Sequence, residues 1–141
     1  MSTVNQIRES IISTLDSNFH TTKIYGEEIA QGFQEPCFFV KLLSVAHDRE
    51  LGRRYKRYHS FDIHYFSDAD YKNENMNDIA EKLYQTMEYI ESNGRLYSGR
   101  KMKHEIVDGV LHFFVDYDFS LYKEKTGIKM KTLHFGGVYS E

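Results

Sequence analysis

The dipeptide Asp108-Gly109 stands in the middle of MKHEIVDGVLHFFVDYDFSLY, and no other short stretch limits the possible folds as tightly. A two-residue hairpin turn of the favoured kind needs positive φ at both central positions, which Asp tolerates and Gly adopts freely. A turn placed there sets the register: Ile106 faces Leu111, His104 faces Phe113 and Met102 faces Val115. Side chains alternate across a strand, so Leu111, Phe113, Val115, Tyr117, Phe119 and Leu121 share one side. His112, Asp116, Asp118 and Ser120 fall on the other, which reads as a solvated sheet face. A chain with this hairpin folds around a sheet with one apolar face.

Two helical stripes are available to cover that face. Val4, Ile7, Ile11, Leu15 and Phe19 recur every three or four residues, with Ile12 beside them. Thr3 and Gln6 have capping-box spacing, so the pattern predicts a helix from there to about Phe19. Met76, Ile79, Ala80, Leu83, Met87 and Ile90 form the second stripe, entered through Asn75 and closed by Asn93 and Gly94. The SDADYKNEN segment ahead of it is polar and turn-like. After the first helix, TTKIY reads as a short strand. GEEIAQGFQEP, bracketed by Gly26, Gly32 and Pro36, reads as a loop with two acidic patches.

From Cys37 to Asp48, CFFVKLLSVAHD is too apolar to lie in solvent, and a turn at Glu50 to Gly52 follows it. In LGRRYKRYHSFDIHYF, Phe61, Ile63 and Tyr65 alternate with Ser60, Asp62 and His64, the period of a strand with one buried face. The two segments pair as a long antiparallel hairpin. The last segment, KEKTGIKMKTLHFGGVYSE, is basic and then Gly-rich, and reads as a terminal strand followed by an arm. The fold class is therefore α+β, a mostly antiparallel sheet with two helices packed on one face. Residues 1–122 form a single domain and 123–141 a C-terminal strand or arm, a length that suits one core.

Composition narrows the function. Lys+Arg 18 against Asp+Glu 21 gives a formal charge of −3, without the overall basic bias of most nucleic-acid binders. The single cysteine, Cys37, excludes an internal disulfide and a multi-Cys zinc site, which fits synthesis in a reducing cytosol. The first residues lack the basic flank and apolar run of a signal peptide, and no stretch reaches the roughly 18 to 20 apolar residues of a membrane span.

No residue set carries a catalytic signature. His20, His47, His59, His64, His104, His112 and His134 are scattered, without a helical HxxxH or HExxH pair. His59 and His64 fall on opposite faces of their strand, as do His104 and His112 across the Asp108-Gly109 turn, so neither pair chelates and no metal or other cofactor is expected. Cys37, between Pro36 and Phe38, reads as a small buried hydrophobe. Asp116 and Asp118 share a face at a spacing that suits acid–base work or a cation, but a solvated sheet face is the favoured reading. A hydrolase built on Cys37 or these aspartates ranks last among the readings.

The run RRYKRY supports three uses. It can stack bases and neutralise phosphates, as single-strand binders do. It can protect the open end of a hairpin with long cationic side chains. It can also meet acidic loops of a neighbouring subunit, such as Glu27 and Glu28.

Taken together, Gln31, Gly32 and Phe33, then Pro36, Cys37, Phe38 and Phe39, then Arg53, Arg54, Tyr55 and FDIHYF resemble a known family. It is that of the tail terminator proteins of siphophages, myophages and defective prophage elements of Gram-positive bacteria. The resemblance covers most of the chain before Lys123 and implies the order helix, three-strand meander, helix, further strands. It implies a structural protein with no enzymatic activity. It also implies that copies assemble as a ring, typically a hexamer, on the head-proximal end of the tail tube. There they stop polymerisation and join a neck, head-completion, sheath or collar protein. Within that role the two charged loop regions are expected to supply the subunit or tube contacts: Glu27, Glu28, Gln34, Glu35, Arg53, Arg54, Tyr55, Lys56 and Arg57. Assembly in the host cytoplasm, then residence in the tail or tail-like particle, is the implied location. Nucleic acid enters only as DNA passing through the lumen, with a small nucleic-acid-binding module as the alternative.

Overall fold

A computed structural model describes residues 2–26, 32–123 and 130–133, with Lys123 and residues 130–133 as backbone alone. The Thr3 hydroxyl accepts from the Gln6 amide at 3.2 Å and the Gln6 side chain accepts from the Thr3 amide at 2.8 Å. This closes the expected capping box at the head of α1 (Val4–Asn18). The chain continues through β1 (Lys23–Tyr25), β2 (Cys37–Arg49), β3 (Arg54–Phe66) and α2 (Lys72–Thr86). It ends with β4 (Tyr89–Ser92), β5 (Arg95–Val107), β6 (Val110–Lys123) and β7 (Met130–Leu133). The strands form one seven-stranded sheet in the order β1-β2-β3-β6-β5-β4, with β7 paired to β6.

Both helices lie on one face of this sheet. Ile7, Ile11 and Leu15 of α1 and Met76, Ala80 and Leu83 of α2 are fully buried against Phe61, Ile63, Leu111, Phe113 and Val115. Full burial of each large apolar side chain contributes about 1.5–3 kcal/mol. The alternation around Asp108-Gly109 thus becomes the centre of the core. Asp108 (φ 51) and Gly109 (φ 75) make the turn, and Ile106↔Leu111 and His104↔Phe113 pair as expected.

Several expectations are corrected. Met102 does not face Val115 in register: the pairing slips between Arg100 and Lys103, and Lys101 (φ 52) and Met102 together stand opposite that one residue. The second helix does not reach Ile90. It stops at Thr86, and Asn93 (φ 53) and Gly94 (φ 76) turn the β4–β5 hairpin instead of capping a helix. Two positive-φ residues in a two-residue connection are hairpin geometry, which the periodicity of Met87 and Ile90 concealed. The helix also starts before Asn75, at Lys72; the Asn75 side chain accepts hydrogen bonds from Tyr65 and Ser67 at 3.1 and 2.6 Å. The three-strand meander is not formed either, because β1 runs parallel to β2.

Gly99 marks where β5 passes under the end of α2. Its amide donates to the Glu88 carbonyl at 2.7 Å, and a Cβ there would stand 2.4 Å from the Met87 carbonyl oxygen. Tyr117 donates its hydroxyl to that same oxygen at 2.7 Å. A side chain at position 99 would push apart backbone that is already packed in contact.

Candidate assembly surface

The apolar run from Cys37 to Asp48 is buried only in its first third. Cys37, Phe38, Phe39 and Val40 are buried, whereas most of Lys41–Arg49 is exposed, including Leu43 and Val45. This corrects the expectation that the whole run avoids solvent: the hairpin outruns the helices. The pairing of β2 with β3 continues to Arg49↔Tyr55, after a bulge between Leu42 and Ser44. The six residues from Ser44 to Arg49 extend about 20 Å at roughly 3.3 Å per residue. Arg49 closes the tip by donating its Nε hydrogen to the Gly52 carbonyl at 2.7 Å, and Leu51 at the tip is 83% exposed.

Strand alternation divides the basic run between two faces. Tyr55 and Arg57 share the helix-side face with His59 and Phe61, while Arg54, Lys56 and Tyr58 share the outer face with Ser60 and Asp62. On the first face, the His47 ring stacks on Tyr55 at 5.1 Å, and Arg57 Nε donates to His47 Nδ1 at 3.3 Å. At the tip, the Arg53 guanidinium lies 4.7 Å from the centre of the Tyr122 ring and also bonds its hydroxyl. On the outer face, Lys56 lies 5.1 Å from the Tyr58 ring centre. RRYKRY is therefore two thin cationic faces supported by aromatic rings.

Gln34 and Glu35 are exposed at the opposite end of β2, where the Gln34 amide donates to the Tyr25 hydroxyl at 3.1 Å. About 40 Å of strand separates them from the Arg53–Arg57 end. The proposed contact residues thus occupy two remote ends of one hairpin. Glu27 and Glu28 lie outside the described residues.

The outer sheet face is not simply solvated. Asp118 is 8% exposed, contrary to expectation, and burial followed by the nearby Asp116 pushes its carboxyl above the ordinary range against the pull of Lys56, Arg100 and Lys101. Cross-strand register sets His64 opposite His112, and both histidines reach Asp62, two residues from His64 on the same face. Asp62 Oδ2 accepts from His64 Nε2 at 2.8 Å and from His112 Nδ1 at 3.0 Å. Burial pushes the Asp62 carboxyl up, but the two hydrogen bonds and the charge interactions with the same histidines together outweigh it and hold the group below its ordinary value. Sequence reasoning missed this cluster: the alternation placed His64 and His112 on polar faces, but no local signal says that β3 lies beside β6.

Elsewhere the chemistry is quiet. Cys37 is buried, which pushes its thiol up to about 11 with help from the Glu35 charge, so it is protonated at neutral pH and a poor nucleophile. His59 is fully buried, stacks on Phe119 at 5.2 Å and bonds the Tyr117 carbonyl at 2.9 Å through Nδ1. No described helix is long and apolar enough to cross a membrane.

The family model described as "Phage tail terminator protein" matches residues 6–129. The chain belongs to the phage tail terminator family. Membership carries a structural role in the phage tail, exercised through contacts with other tail and neck proteins. The match runs from α1 to the last residue before β7, so it includes both ends of the β2–β3 hairpin. A search of curated proteins finds no match to the chain.

Proposed function

We propose that this tail terminator protein acts as a non-enzymatic ring, hexameric as is typical of its family. The ring caps the head-proximal end of the tail tube, stops tube growth and offers its other face to a neck, head-completion, sheath or collar protein. The observation that carries this reading beyond family membership is the hairpin with unlike ends. A cationic end (Arg53, Arg54, Tyr55, Lys56, Arg57) and an end bearing Gln34 and Glu35 favour head-to-tail contact between copies. Glu27 and Glu28 extend the acidic side of that contact. Residues 1–122 supply the ring body and 123–141 the strand and arm that reach a neighbour. Assembly takes place in the host cytoplasm, and the ring then stays in the tail, its lumen passing DNA.

Light scattering on the purified protein, and electron microscopy of tails formed with and without it, test the reading. The expected result is a mass near six copies, or a monomer that forms rings only on tube ends, with overlong or headless tails when it is omitted. Charge reversal at Arg53, Arg54 and Lys56 together should weaken association while circular dichroism stays unchanged. Undecorated tube ends, with tail length and head joining unaffected by omission, overturn the reading. Salt-sensitive binding to single-stranded DNA at physiological ionic strength would favour a nucleic-acid-binding module in its place.

A further inference from the structure

We propose that Asp62, His64 and His112 form a binding site for a divalent transition-metal ion of the zinc class, clamping β3 to β6 on the outer face of the sheet. Three observations support it. The candidate ligand atoms, one from each residue, all lie within 4.8 Å of one another and come from adjacent strands in register. The Asp62 side chain is 93% buried by its 7% exposure, and its Oδ1 has no hydrogen-bond partner among the described residues. A buried carboxylate oxygen without a partner is costly, and a cation bound through both carboxylate oxygens would satisfy it. The two imidazoles remain reachable, His64 at 12% and His112 at 21% side-chain exposure. His64 also lines an open cleft of about 340 Å³ beside Arg8 and Gly26.

The distances suit such an ion. Zinc holds nitrogen and oxygen ligands at about 2.0–2.2 Å, which puts neighbouring ligand atoms of a tetrahedral site roughly 3.3 Å apart. Asp62 Oδ2 already lies 2.8 Å from His64 Nε2 and 3.0 Å from His112 Nδ1, so those two pairs spread slightly, while the two nitrogens, within 4.8 Å of each other, close by up to about 1.5 Å on binding. In the hydrogen-bonded form each of those nitrogens carries its proton towards Asp62. In the metal-bound form each turns its lone pair to the ion and the proton moves to the other ring nitrogen, leaving both imidazoles neutral. The two nitrogens and the two carboxylate oxygens make four donors, and water enters only as a fifth. Two nitrogens and a carboxylate favour zinc, nickel or cobalt over magnesium or calcium, which prefer all-oxygen sites.

The test uses the full chain, stripped with a chelator and titrated with Zn²⁺ by calorimetry and with Co²⁺ by visible absorption. One equivalent should bind and raise the melting temperature. His64→Gln and His112→Gln should each weaken binding at least about 10-fold, the loss that follows removal of even an outer partner of a metal ligand. X-ray absorption on the zinc-loaded natural protein should show two imidazoles with oxygen ligands, a readout that does not depend on how the variants fold. Absence of binding at micromolar Zn²⁺ overturns the proposal. So does binding that the double His64→Gln, His112→Gln variant retains unchanged, or a spectrum with other than two imidazoles.

Discussion

Single residues here carry consequences that extend past their own contacts. Phe113 has no solvent exposure and packs edge-on against Tyr84 at a ring distance of 4.9 Å. Phe113→Ala should cost about 3–5 kcal/mol, read as a lower denaturant midpoint at unchanged slope. His59 acts through protons. Burial, with a smaller push from Arg57, lowers its pKa below the usual histidine value in spite of the Tyr117 carbonyl bond. The unfolded chain therefore takes up a proton first as pH falls. The stability gained from neutral His59 is complete above about 6.5 and is lost as pH drops through the depressed folded value. Thermal melts from pH 7.5 to 5 should show natural protein losing stability more steeply than His59→Phe; equal slopes would show that His59 is not the group responsible.

Elements were legible wherever one local signal defined them. The capping box of Thr3 and Gln6 and the Asp108-Gly109 turn each lie within a few residues of sequence, and both stand where that chemistry puts them. The helix-like spacing of Met87 and Ile90 competed with a second turn signal at Asn93-Gly94, and the turn prevailed because two consecutive residues of positive φ make a two-residue hairpin connection that pairs Tyr89–Ser92 with Arg95–Ser98. The Asp62 cluster was beyond local reading, since it depends on β3 and β6 being neighbours across α2, β4 and β5. The exposed half of β2 was misread for a related reason: apolar letters predict burial only if something is present to cover them, and Leu43 and Val45 are left exposed. At this scale the joint between α2 and β5 is the sensitive point. Gly99→Ala would drive a methyl group into the Met87 carbonyl and should cost about 1–3 kcal/mol. Gly52→Ala, in open space at the tip (φ 58), should cost less, and comparing the two melts separates collision from backbone strain.

Across the whole molecule, the proposed association uses a surface on which the fold does not depend. The core lies between the helices and one sheet face, while the tip of the β2–β3 hairpin contributes little to it. Leu51→Asp should leave stability within about 0.5 kcal/mol of the natural value, yet reduce self-association measured by sedimentation. An equal loss in both measurements would place Leu51 in the fold. Family membership was legible from the Gln31–Phe39 and Arg53–Phe66 stretches, of which Cys37–Phe39 and Arg54–Phe66 lie in the two paired limbs of this hairpin. The division of RRYKRY into two faces was not, since a run of charges reads as one patch until a strand direction is assigned.

Strand β1 pairs only with Cys37–Phe39, so from Val40 to Arg49 the far edge of β2 has no strand partner among the described residues. Symmetry limits how that edge is used. Two copies joined antiparallel through the same edge are related by a two-fold axis, and the pair exhausts the edge and stops at two. A cyclic ring of more than two copies built through β2 must therefore turn that edge towards a different surface of the next copy, and the rotation between those two surfaces determines how many copies complete the circle.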